Sequence, residues 1–352
     1  MAASKAPVGE PLSSTEEVMK SYELQPFKRV DRTLAKLIAA DMASKDEIRF
    51  LVDSFYQIQN MRIRTANQIR SLQGSGIDND VIQWFGDYNE LVEEDLDKIL
   101  QYWAEGQKLG QWCLSIHGIG HRITASLMAY IDIEKAPTVG HIWRYAGLDP
   151  TNEWISADKA KKIVAENVSS AKPTNDEIIK IANLINRKPS SLKSVSEERK
   201  NNKPTGRITK DSLTKGLAKR PYNANLKKLC YKISDQIGHR QVNNPKNIYG
   251  PLFLDRKAYE HRLNDEGKYR EWATSKIGTV GKTTIAGKAY AEGRLSDGEI
   301  QNRSRRWIVK LFLSHYHHVA YNLRFGTNPP KPYPFAHLGH GTVIDPPNWP
   351  ME

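Results

Sequence analysis

The chain has 352 residues, in which lysine and arginine outnumber aspartate and glutamate by 12, and it holds only two cysteines. That length carries two or three modules, and the positive excess points to a polyanionic partner. No apolar run is long enough for a membrane span and no amphipathic helix segregates its lysines, which favours nucleic acid over a lipid surface. Residues 1–26 are polar and rich in Ser, Pro and Glu and are expected to be a disordered tail; Met1-Ala2-Ala3-Ser4 leads into no apolar core of a secretory signal, so a cytoplasmic location is expected. Over 27–105, Ile48, Leu51, Phe55 and Ile58 step by three and four, and Phe85, Tyr88, Val92, Leu96, Ile99 and Trp103 do the same beyond Gly74-Ser75-Gly76. This spacing predicts a long helical hairpin with some coiled-coil character. Its first seam, if exposed, would make the chain a homodimer.

Residues 106–158 hold the most informative stretch. Leu114-Ser115-Ile116-His117-Gly118-Ile119-Gly120-His121-Arg122-Ile123-Thr124 has the form of a helix-hairpin-helix. Gly118 and Gly120 permit a tight turn, Ile119 pins it to the core, and unpaired N–H groups begin the second helix. A phosphate would fit there, with His121, Arg122 and Thr124 as further contacts. Such contacts position a backbone without reading bases, so only weak sequence preference is expected.

Residues 159–219 are lysine-rich, poor in large apolar side chains, and read as a polar insertion with loops. Within it, Thr174-Asn175-Asp176-Glu177 is a capping-box start, and Asn186-Arg187-Lys188-Pro189 a turn into a second short helix, together a possible helix-turn-helix. Helical periodicity returns in the C-terminal helical region, 220–328, ending in a helix over about 300–324, and a proline-rich tail occupies 329–352. With no alternating pattern of any length, the class is mainly α. Lys219-Arg220-Pro221-Tyr222 and Arg303-Ser304-Arg305-Arg306-Trp307 interleave cations with aromatics and are candidates for holding phosphates and stacking bases, Lys219, Arg220, Arg305 and Arg306 foremost. His315 and His318 lie one turn apart, and with His337 and His340 they are weak candidates for a metal site that lacks a carboxylate at matching spacing; no cofactor is expected.

The run Ile116-His117-Gly118-Ile119-Gly120 to Ala129-Tyr130-Ile131-Asp132-Ile133, followed by Trp143-Arg144-Tyr145-Ala146-Gly147-Leu148-Asp149-Pro150, resembles the C-terminal transposase domain of the insertion-sequence 110/116/902 transposases. The resemblance covers roughly residues 50–240 and implies DNA, or structured RNA, as partner and a role beside mobile or recombining DNA. It also implies an N-terminal RNase H-like domain with metal-binding acids, for which this chain has no matching stretch, so Mg²⁺ would enter only with a partner nuclease. The family's nucleophilic serine follows the Gly-Leu-x-Pro segment; here Ser156 is its sole counterpart, about one position out of register, and helix capping is its favoured role. The expectation is a phosphate-contacting DNA-binding protein without catalytic activity alone. The alternatives are a serine-type recombinase acting with a partner nuclease, and an RNA-binding component.

Overall fold

The computed structural model describes residues 29–42, 44–77, 80–151, 154–330 and 344–351. Among the described residues the chain is mainly α, with fifteen α-helices and one two-stranded sheet. The tail over 1–26 and most of the proline-rich tail, His337 and His340 included, lie outside the described residues. The chain divides into two compact units: one runs to Ser115 and adds Gly120–Tyr130, the other comprises Ile116–Ile119 and everything from Ile131 on.

The first unit holds α1 (Arg32–Asp41), α2 (Lys45–Gly74), α3 (Asp80–Gly106), α4 (Lys108–Ser115) and α5 (His121–Tyr130). Ser44 and Glu47 start α2 as a reciprocal capping box, each accepting the other's backbone N–H at 3.1 Å. The two long helices pack against each other as the expected hairpin. Gln59 and Arg62 of α2 both donate to Glu93 of α3, at 2.9 and 2.6 Å, and these bonds hold that buried carboxyl charged against the cost of desolvation. The seam expected to form a dimer is spent inside the chain. Ile48 and Phe55 are each 1 % exposed, and Leu51 and Ile58 partly covered, because α2 packs on α3 and α5 together. Exposed apolar side chains of this unit include Leu37 and Phe50, and Val81, Trp84, Phe85 and Tyr88 near the start of α3.

The second unit begins with the 3₁₀ turn Ile133–Lys135 and α6 (Val139–Tyr145). Four helices follow, α7 (Ala157–Asn167), α8 (Asn175–Leu184), α9 (Pro189–Ser196) and α10 (Lys210–Ala218), with a hairpin of β1 (Arg199–Lys200) and β2 (Lys203–Pro204) between the last two. Asn201 and Asn202 both take positive φ, the conformation a two-residue hairpin turn demands. Where composition suggested loops, aliphatic side chains without aromatic rings suffice for a core: Ile163, Val164, Ile178, Ile181, Leu192, Leu213 and Leu217 are buried together. The capping box at Thr174 and Glu177 and the turn with Asn186 at φ 51° give α8 and α9 helix-turn-helix form. Beyond them come α11 (Ala224–Asp235), extended by a π-type turn over Gln236–Arg240, then α12 (Tyr249–Asp265), α13 (Arg270–Ser275), α14 (Ile285–Ala291) and α15 (Asp297–Phe325). α15 packs on α6, α11 and α12, and Tyr249, Phe253, Phe312 and Tyr316 fill the space between with large buried rings.

Candidate nucleic-acid interface

The hairpin forms where the sequence places it, but the side-chain donors beside it are already committed. Gly118 has φ +92°, which favours glycine, and Ile119 donates its N–H to Ile116 O at 3.0 Å while its side chain is buried. Gly120 has nothing within 4 Å of where a Cβ would stand, so space does not require glycine there. At the start of α5, Arg122 forks onto Asp97 of α3 through Nε (2.7 Å) and Nη2 (2.8 Å), and His121 Nε2 meets the same carboxylate at 2.8 Å. Burial works against charge on Asp97, yet these bonds outweigh it and hold the carboxyl at about 2. A carboxylate thus takes up the two side chains expected to help hold a phosphate. Thr124 is fully buried and cannot touch a ligand.

Other sequence candidates are likewise absorbed into the fold. Ser156 is the exposed N-cap of α7, its Oγ accepting the Lys159 N–H at 3.3 Å; among the described residues no histidine or carboxylate hydrogen-bonds it. Arg305 is largely buried and pairs with Asp235 at 2.8 Å, and Arg306 pairs with Glu299 at 3.0 Å. Arg303 reaches buried Glu260 at 2.8 Å. The run over 303–306 is therefore a set of internal pairs and not a free phosphate stripe, because α15 presents successive residues to different neighbours.

His315 is buried with both ring nitrogens engaged, Nδ1 with the Tyr249 hydroxyl (2.7 Å) and Nε2 with Ile344 O (2.8 Å), and burial pushes its pKa down to about 4. It is a neutral core histidine. His317 is also buried, with Nε2 on Ala136 O at 2.8 Å; His318, the other described histidine of the proposed metal set, is only partly covered. Among the described residues no group of three His, Cys, Asp or Glu could hold a metal ion, and no helix is long and apolar enough to cross a membrane. Cys113 and Cys230 are buried, and burial pushes both thiols up, Cys230 to about 12.

What the second unit does bring together is a basic cleft of about 790 Å³. α6 contributes His141, Arg144 and Tyr145; the turn before α9 contributes Arg187 and Lys188; the link from α10 to α11 contributes Lys219, Arg220 and Tyr222. Each segment has a local reason to point there. Gly147 ends α6 at φ +67°, and the Tyr222 ring lies 2.8 Å from where its Cβ would be, so only glycine lets these two approach. Asn223 caps α11 by accepting the Leu226 N–H (2.9 Å), donates Nδ2 to the Tyr145 hydroxyl (2.9 Å), and gives its own N–H to Tyr145 O (2.8 Å). Pro189, first residue of α9, favours the turn that presents Arg187 and Lys188.

Charge in the cleft is one-sided. Arg144, Arg187, Lys188, Lys219 and Arg220 face a single acid, Asp149, which already accepts the Thr151 N–H (2.9 Å) and hydroxyl (2.7 Å). Arg187 is pushed below the usual arginine range by burial and then by the charge of Arg144. Two guanidinium groups that repel each other with so little acid nearby favour an anion between them. Arg220 also stands over the Trp154 ring, 5.3 Å from its centroid. Of these cations only Lys219 and Arg220 stood out in the sequence as phosphate contacts. Arg187 and Lys188 showed there only as a turn, and Arg144 only as part of a resemblance. Comparison of the chain with family models, with curated proteins and with solved structures finds no match in any of the three.

Proposed function

We propose that this protein binds nucleic acid through the basic cleft of its second unit, contacting phosphates more than bases, and serves beside recombining or mobile DNA without cutting strands alone. The observation that carries the reading is the convergence of five lysine and arginine side chains, against one occupied acid, from three separated segments of chain. Such clusters repel themselves unless a polyanion or counterions neutralise them, and releasing those counterions drives binding. The resemblance to a transposase domain supplies the biological setting. Ser156 as a helix cap supports the non-cleaving form of the reading over a serine recombinase.

The test is fluorescence anisotropy of labelled DNA and RNA against the full chain across a salt series. Affinity should fall steeply with salt, and replacing Lys188 and Lys219 together by alanine should flatten the log–log slope by roughly 1.4–1.8, the share of two phosphate contacts. An unchanged slope in that variant, with loss of binding in Arg122→Ala instead, would move the interface to the hairpin and defeat the proposal.

A further inference from the structure

We infer that the cleft receives a single-stranded segment of nucleic acid, one base stacking on the Tyr145 ring while its phosphates lie between Arg144 and the turn bearing Arg187 and Lys188. This rests on the nucleic-acid reading above and narrows it by shape. The volume of about 790 Å³ falls within the range, roughly 300–1,000 Å³, of pockets that enclose small molecules. A nucleotide or two fills that space. A double helix is met by convex elements that enter its grooves, whereas the outward side chains of α9, Ser191 and Val195, form a wall of this concavity. The second helix of the helix-turn-helix pair therefore faces the cleft.

The aromatic lining is arranged for one open platform. Tyr222 is set against Gly147 and has the Lys227 ammonium 4.2 Å from its ring centroid. Tyr145 is 40 % exposed, and Asn223 holds both its hydroxyl and its backbone carbonyl. A part-exposed ring that is fixed at its rim loses little freedom when a base stacks on it. Backbone cations beside an aromatic face form the sequence-tolerant way of gripping a single strand.

Anisotropy of the full chain with oligo(dT), oligo(rU) and a blunt duplex of mixed sequence tests this. Single strands should bind more tightly than the duplex, and the first two probes separate DNA from RNA as the source of the strand. Tyr145→Ala should weaken single-strand binding about tenfold or more, with the salt slope unchanged because no charge is removed. An oligonucleotide carrying 5-iodouracil should crosslink, on irradiation, to the peptide containing Tyr145, a readout that needs no variant. A duplex that binds as tightly as single strands, or crosslinks that map away from Tyr145, would overturn the inference and leave the cation cluster as a duplex-backbone site. Failure of every probe to bind in a salt-dependent way would instead remove the nucleic-acid reading on which it rests.

Discussion

Replacing Asp97 by asparagine separates two roles that the hairpin could have, a structural clamp and a phosphate seat. In the folded chain the carboxyl is lowered from 3.8 to about 2 by Arg122 and His121, burial opposing. At 1.36 kcal/mol per unit that shift corresponds to about 2 kcal/mol. Asp97 is only 19 % exposed but Arg122 is 47 % exposed, so solvent reduces the figure to roughly 1–2 kcal/mol. A depressed carboxyl pKa stabilises above its unfolded value and loses that contribution as pH falls through its folded value. Urea denaturation followed by tryptophan emission should therefore give a gap between wild type and Asp97→Asn that is full at pH 7 and closes between about pH 4 and pH 2. The same substitution releases Arg122 and His121. Under the cleft reading, nucleic-acid affinity should change little. A stability gap that ignores pH would refute the clamp, and a large gain in affinity would put phosphate at the hairpin after all.

His315 supplies a prediction of opposite character. Its pKa lowered from 6.5 to about 4 means that the unfolded chain takes up a proton in this window and the folded chain does not, so stability falls by about 3 kcal/mol from pH 6.5 to 4; His315→Gln should lose that slope in parallel denaturation series. Gly147→Ala combines a left-handed backbone, worth about 1–2 kcal/mol against a side chain, with a Cβ 2.8 Å from the Tyr222 ring. Melting should show destabilisation of about 2 kcal/mol or more, and because Tyr222 lines the cleft, single-strand affinity should fall in the variant that remains folded.

The fold was legible where one periodicity governs many residues. The stepping of Ile48 and Phe55, then of Ile99 and Trp103, marks faces that are buried in α2 and α3, and the Thr174 and Glu177 capping box marks the start of α8. Partners of charged side chains were not legible, because they come from distant chain: Arg122 finds Asp97 and Arg305 finds Asp235. A basic run looks the same in sequence whether its charges are free or paired. The cleft is invisible for the same reason, since residues near 144, 187 and 220 contribute one or two cations each and only packing sums them. What could have pointed to it is the combination of a turn signal with cations, as at Arg187-Lys188-Pro189.

The indole Nε1–H of Trp154 donates to the carbonyl oxygen of Ala218 at 2.8 Å. These residues stand just before α7 and at the end of α10, so the chain leaves the body formed by α7 to α10 where it entered it. A segment whose ends meet, and whose apolar residues bury one another, has the geometry of a module gained or lost in a single event, with little to repair in the host. A short glycine-serine bridge in place of α7 to α10 would have only that small gap to close. It would remove Arg187 and Lys188 and keep Arg144, Arg220 and Tyr145. Under the single-strand reading, such an exchange would remove the wall that carries two of the five cations of the cleft and leave its aromatic platform in place.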